Sequence, residues 1–143
     1  MRKRDAFRAA FDGFDPEKIA RYDEPKLTAL MNDAGIVRNR AKIASSVASA
    51  RAWLAIEARE GFSDYLWKHV DGRPLQGKLR HLGEIQAETD LSRRISKDLK
   101  KEGFNFVGPT IVYAFMQAVG MVNDHLDGCF RCAECRKLGL NRK

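Results

Sequence analysis

The segment NRAKIASSVASARAWLAIEARE, residues 39–60, holds neither glycine nor proline and sets Ile43, Val47, Ala50, Leu54 and Ala58 at three- and four-residue intervals. Such intervals place side chains on one face of an α-helix, so this stretch reads as a long helix whose apolar stripe other elements must cover. The same period runs through almost the whole chain, and no alternating run of β-branched residues bounded by turn signals interrupts it. The expectation is an all-α fold with this helix as its central packing element.

Local punctuation divides the rest. A first helix covers about residues 3–11 and stops at Gly13. FDPEKIARY opens a second, with Asp15 as N-cap and Pro16 at the first helical position. DEPKLTALMNDAG gives a third, capped by Asp23 or Glu24, with Pro25 in its first turn and Gly35 at its end. FSDYLWKHV reads as a short helix with Ser63 as a candidate cap, placing Phe62, Tyr65, Leu66 and Val70 near the core. Residues 71–89 form the longest loop, broken by Gly72, Pro74, Gly77 and Gly83. TDLSRRISKDLKKEGF is a further helix, capped at Thr89 or Asp90 and closed by Gly103, with Leu91, Ile95 and Leu99 inward. FVGPTIVYAFMQAVGMVNDH, started by Pro109 and Thr110, is apolar nearly all round and predicts a buried core helix. Trp53 and Trp67 are expected under the central helix, and His69 and His81 at the surface.

At 143 residues one domain suffices. Residues 1–128 are expected to form it, with a hairpin at about 30–45, and residues 129–143 a mobile, basic, cysteine-containing tail. No apolar run approaches the ~18 residues of a membrane span, and MRKRDAFRAAFDGF has no uninterrupted apolar region of the signal-peptide kind. A soluble cytoplasmic protein without membrane association is expected. Lys and Arg number 26 against 19 Asp and Glu, a net charge of +7, which favours polyanionic partners and makes nucleic acid the first to consider.

Two motifs carry chemistry. In MNDAGIVRNRAKI a glycine-centred turn exposes backbone N–H groups at the start of a helix, whose dipole is positive there, and Arg38, Arg40 and Lys42 add full charges. That combination grips a phosphate and positions a protein on a duplex without reading its sequence. The plainer alternative is that Gly35 only ends a helix and the arginines form a solvated face. In VNDHLDGCFRCAECRK, His125, Cys129, Cys132 and Cys135 lie within one short stretch. The three cysteines, odd in number and bunched, argue for metal ligands or reduced thiols over a disulfide framework. Four nitrogen and sulfur donors match the count of a closed structural zinc site; the alternative is reduced thiols in a frayed tail.

Three stretches, KRDAFRAAFDGFDPEKIA, DAGIVRNRAKI and EGFNFVGPTIVYAFMQAVGMVNDHLDGC, together resemble the DNA-3-methyladenine glycosylase I family over essentially the full length of the chain. That resemblance implies a helix-hairpin-helix DNA glycosylase acting in base excision repair of alkylated DNA. Such an enzyme flips a 3-methyladenine nucleotide out of the duplex and hydrolyses its N-glycosidic bond. It makes GIVRNRAKI the hairpin, with Gly35, Val37 and Arg38 near the DNA backbone, although Val37 stands where many related hairpins have a second glycine. Tyr113 becomes a candidate for the base pocket, against the ordinary alternative of core packing.

The H-x3-C stretch resembles the family's C-terminal half-site, and that resemblance implies His125 and Cys129 as ligands of a structural zinc. In the family, the other two ligands, the aromatic pocket and the base-recognising glutamate belong to several dozen residues upstream of the position of Met1. The expectation is therefore an N-terminally shortened member with an incomplete zinc site, in which Cys132 and Cys135 are either extra thiols or replacements for the missing ligands. No residue is nominated as catalytic. Its expected partner is duplex DNA with alkylated bases, and its expected state is a monomer. Two other functions fit the same motifs: a non-catalytic DNA-binding remnant of the family, and a small zinc-binding interaction module.

Overall fold

The structure, a computed structural model, describes residues 3–140. Its elements in chain order are α1 (Arg4–Ala10), α2 (Pro16–Ala20), α3 (Glu24–Asn32), α4 (Arg40–Glu60), α5 (Phe62–Trp67), β1 (Leu75–Gln76), α6 (Asp90–Lys101), α7 (Pro109–Ala118), β2 (Val122–Asn123) and α8 (Phe130–Leu140), with short 3-10 turns between some of them. The fold is all-α with one minimal strand pair. Internal contacts divide the chain into two compact units, one of Met1–Phe62 with Lys100–Phe106 and one of Ser63–Leu99 with Val107–Lys143.

In the first unit α2 and α3 pack on α4. Phe11, Ile19, Leu30, Ile36, Ile43, Val47 and Ala50 form its core, with Phe7, Tyr22 and Leu27 half-buried against them. The starts of α2, α3 and α4 are satisfied locally. Asp15 accepts the N–H groups of Glu17 and Lys18, Asp23 accepts that of Lys26, and Asn39 that of Lys42. These bonds use donors that a helix N-terminus otherwise leaves unpaired. Beyond Ala50 the buried positions of α4 are Ala52 and Ile56, while Leu54 is half-buried and Ala58 exposed. The apolar stripe thus turns around the helix where the expected one ran straight. Helix α3 ends at Asn32, short of Gly35, so the glycine is not its cap. Helix α5 starts at Phe62, whose N–H is taken by the Glu57 carboxylate, and Ser63 lies inside it.

In the second unit β1 and β2 pair in parallel, Leu75 opposite Val122 and Gln76 opposite Asn123. The long loop therefore contributes a strand. Thr89 and Ser92 cap α6 reciprocally, each hydroxyl accepting the other residue's N–H. Helix α7 is not buried all round: Val112, Tyr113 and Met116 are buried, whereas Ile111 and Phe115 are exposed, as is Val119 just past its end. It stops at Ala118, and the chain turns at Gly120 with φ +77°. The expected mobile tail is instead helical in α8, with Cys132 buried. No helix among the described residues is long and apolar enough to cross a membrane.

His69 is half-buried, contrary to its expected surface position, and meets the Tyr65 ring edge-on at 6.0 Å. Its Nε2 is buried without a hydrogen-bond partner among the described residues. Burial lowers its pKa; Asp98 opposes the shift, and Lys68 and Arg94 add to it. A histidine held neutral stabilises the fold fully above its unfolded pKa of 6.5 and loses that contribution as pH falls through the folded value. The thermal midpoint is accordingly expected to fall between pH 7 and pH 5, and to fall less in a His69→Phe variant. A melting series across that range checks it.

Candidate nucleic-acid interface

The α3–α4 connection, residues 33–39, is held from inside by Ile36, whose side chain is 1% exposed in the core of its unit. Asp33 Oδ1 accepts the Gly35 N–H at 2.7 Å, and the Ile36 N–H reaches Asp33 O at 3.4 Å. A Cβ on residue 35 would sit 2.9 Å from Asp33 Oδ1 and 3.3 Å from the Ala6 Cβ. A side chain there would push against the Asp33 carboxylate that takes the Gly35 N–H and crowd Ala6; the φ lies outside the left-handed region, so close approach and not backbone strain favours glycine. Lys3 completes the loop's supports, with Nζ donating to Ala34 O and Ile36 O at 3.2 Å each.

This framework leaves Val37 56% exposed and Arg38, Arg40 and Lys42 on the surface. The three cations are not equivalent. Arg40 pairs with Glu24, whereas Arg38 and Lys42 make no ion pair among the described residues. The Lys42 ammonium lies 5.9 Å from the centroid of Phe106, an exposed ring. The anchored turn, the start of a helix of 21 residues and two uncommitted cations are suited to phosphate oxygens.

The second unit holds a cleft of about 920 Å³ whose walls include Trp67, Gln117, Asn123, Asp124, His125 and Arg131. Trp67 thus belongs to a cleft wall in this unit. Tyr113 is buried, and Ala114 and Gln117 of the same helix, not Tyr113 itself, line the cleft. Its hydroxyl donates to Asp124 Oδ2. Burial and then that hydrogen bond push the Tyr113 pKa up to about 12. The other Asp124 oxygen occupies the space over Gly77, where a Cβ would come within 2.0 Å of it. Glycine therefore lets β1 pass beside this carboxylate. Asn123, also buried, donates to Gln76 Oε1 at 2.8 Å and to the Cys132 carbonyl at 3.0 Å, which ties β2 to α8.

His125 Nδ1 and Cys129 Sγ stand 4.0 Å apart. Two ligands on one tetrahedral zinc, with bonds of about 2.0 and 2.3 Å, are separated by about 3.6 Å, so a small side-chain rotation would let the pair share a metal. An imidazole nitrogen and a thiolate sulfur are also the donor types zinc favours. Cys132 and Cys135 do not complete the set. Cys132 is buried with the Arg136 guanidinium 3.9 Å from its sulfur, Cys135 lines the cleft, and no group of three or more His, Cys, Asp or Glu that could hold a metal occurs among the described residues. Of the two readings of these cysteines, extra thiols or replacement ligands, the geometry favours the first.

Lys3, Asp33, Gly77 and the Tyr113–Asp124 pair escaped the sequence reading. The local D-x-G pattern could have revealed the Asp33 turn. No sequence signal marks Lys3 or joins Tyr113 to Asp124.

The profile of the family described as methyladenine glycosylase matches residues 1–132. DNA-3-methyladenine glycosylase 1 of Escherichia coli is 46% identical over 130 residues, covering 90% of this chain and 70% of that protein. DNA-3-methyladenine glycosylase of Haemophilus influenzae is 42% identical over 130 residues, with the same coverage of 90% and 70%. A crystal structure of 3-methyladenine DNA glycosylase I superposes with a TM-score of 0.86 at 47% identity, covering 90% of this chain and 71% of that one. Shared sequence along nearly the whole chain, together with a shared fold, makes this protein a member of the methyladenine glycosylase family.

Proposed function

We propose that this protein is a DNA-3-methyladenine glycosylase of base excision repair, hydrolysing the N-glycosidic bond of 3-methyladenine in duplex DNA. The observation that carries the reading is the identity of 42–46% over 130 residues to two proteins named for that activity. The uncommitted Arg38 and Lys42 beside the anchored turn support a role in holding the DNA backbone. The chemistry asks little of a proton donor. Methylation at N3 leaves the adenine cationic, so the bond to C1′ is already weakened; water adds at C1′ while the base leaves with the bonding electrons as neutral 3-methyladenine. Extrusion and recognition then dominate the task, and extrusion costs a few kcal/mol that the pocket must offset. The cleft of the second unit is our candidate for the base side. Asp124, fixed by Tyr113, brings negative charge to its wall, and the proposed guest is cationic.

His125 and Cys129 are the residues that would hold a structural zinc, which when bound supplies a cross-link and no redox chemistry. A zinc titration checks this assignment: His125→Ala and Cys129→Ser should each weaken binding, and a Cys132→Ser/Cys135→Ser double variant should not.

The chain spans about 70% of the length of these relatives. The anchored turn with its two cations also fits a second reading, duplex binding without base release. One experiment separates the two. Purified protein incubated with methylated duplex DNA should release free 3-methyladenine above the spontaneous rate. Binding without release would establish the second reading, and neither binding nor release would remove both.

A further inference from the structure

We propose that Lys3 is a positioning residue for the DNA grip, aiming the peptide between Ile36 and Val37 so that the Val37 N–H faces a backbone phosphate. The inference rests on the reading of residues 33–39 as a DNA-backbone hairpin. Lys3 precedes α1, yet its ammonium bonds two carbonyls 31 and 33 residues further along the chain, Ala34 O and Ile36 O, both at 3.2 Å. No backbone N–H among the described residues reaches either carbonyl.

A trans peptide points its C=O and its N–H in opposite directions. Drawing a carbonyl toward Lys3 therefore turns the N–H of the following residue away from Lys3. For the Ala34–Gly35 peptide that N–H is taken by Asp33 Oδ1 at 2.7 Å, so this unit is pinned at both ends. For the Ile36–Val37 peptide only the carbonyl is pinned. The Val37 N–H has no acceptor among the described residues, and Val37 is 56% exposed. Ile36 is sealed in the core on one side of this peptide, and the uncommitted Arg38 follows on the other. The N–H is thus oriented, unsatisfied and next to positive charge, as a phosphate contact requires. Two of the three ammonium donors of Lys3 are spent on carbonyls, so its contribution is chiefly geometric.

The test compares Lys3→Met and Lys3→Arg with the parent chain. In the absence of DNA, Lys3→Met should shift the Gly35 and Val37 amide resonances and leave the melting temperature unchanged. With undamaged duplex it should weaken affinity about tenfold, the loss of one charge-assisted hydrogen bond, while the slope of log affinity against log salt stays as in the parent. Lys3→Arg, which can still bridge both carbonyls, should restore most of the affinity. Unshifted amides would overturn the proposal whatever the DNA result. So would a slope lower by about one, because Lys3 would then be pairing with a phosphate itself. If the amides shift as expected but the parent chain binds no duplex, the orienting contact stands and the hairpin reading fails.

Discussion

Replacing Arg38 and Lys42 together by glutamate is expected to weaken binding to undamaged duplex about a hundredfold at low salt, and to make the log–log salt dependence shallower by about two. Both residues are exposed and neither has an anionic partner among the described residues, so the loss falls on the complex with DNA. Each phosphate that a lysine or arginine neutralises releases condensed counterions, and the salt slope counts those contacts at about 0.9 each. A change in slope therefore separates lost phosphate pairing from general damage to the fold. Arg40→Glu is the internal control. Arg40 is already paired with Glu24 across the base of the hairpin, so its reversal should change the slope less while disturbing that ion pair. Exposed ion pairs contribute about 0–1 kcal/mol, so both variants should melt close to the parent protein. Duplex titrations at several salt concentrations check the expectation, and an affinity indifferent to the double substitution would exclude this hairpin as the DNA contact.

What the amino-acid order reveals here divides by range. Asp15, Asp23 and Asn39 act on N–H groups two or three residues away, so their capping role is visible in a short window. Helix α4 was legible for a similar reason, its period being local, though the turn of its buried face to Ala52 and Ile56 depends on neighbours no period encodes. Gly35 shows the limit. A helix-ending glycine and a glycine favoured by close approach look alike in sequence, and only the Asp33 Oδ1 and Ala6 Cβ beside it distinguish them. Helix α7 fails differently: Ile111 and Phe115 are as apolar as Val112 and Met116, so hydropathy could not say which face is covered. Two-residue strands lie below any alternation signal, and the β1–β2 pair was accordingly invisible. At the C-terminal end the H-x3-C spacing brought His125 and Cys129 together, while the equally suggestive Cys132 was drawn inward beside the Asn123 bond to its carbonyl.

Ile36→Ala joins these levels in one substitution and is expected to cost about 3 kcal/mol of stability, lowering the melting temperature by about 10 °C. Ile36 is 1% exposed and belongs to the cluster of Phe11, Ile19, Leu30, Ile43, Val47 and Ala50, so truncating it leaves a cavity among buried neighbours. It is also the inward anchor of the loop whose opposite side carries Val37 and Arg38. Without it, the loop keeps the Asp33 turn and the Lys3 bonds but loses the contact that fixes its depth. Duplex affinity should therefore fall even at temperatures where the variant remains folded, and with an unchanged salt slope because no cation has been removed. Ile36→Val, which keeps the branched shape and removes one methylene, should cost about 1 kcal/mol and bind nearly as the parent does. Thermal melts and duplex titrations of the pair distinguish the outcomes. If Ile36→Ala melts like the parent, the side chain is not seated in the core. If it melts early yet binds normally once folded, the hairpin is held by its hydrogen bonds alone, and the core contributes stability without setting the grip.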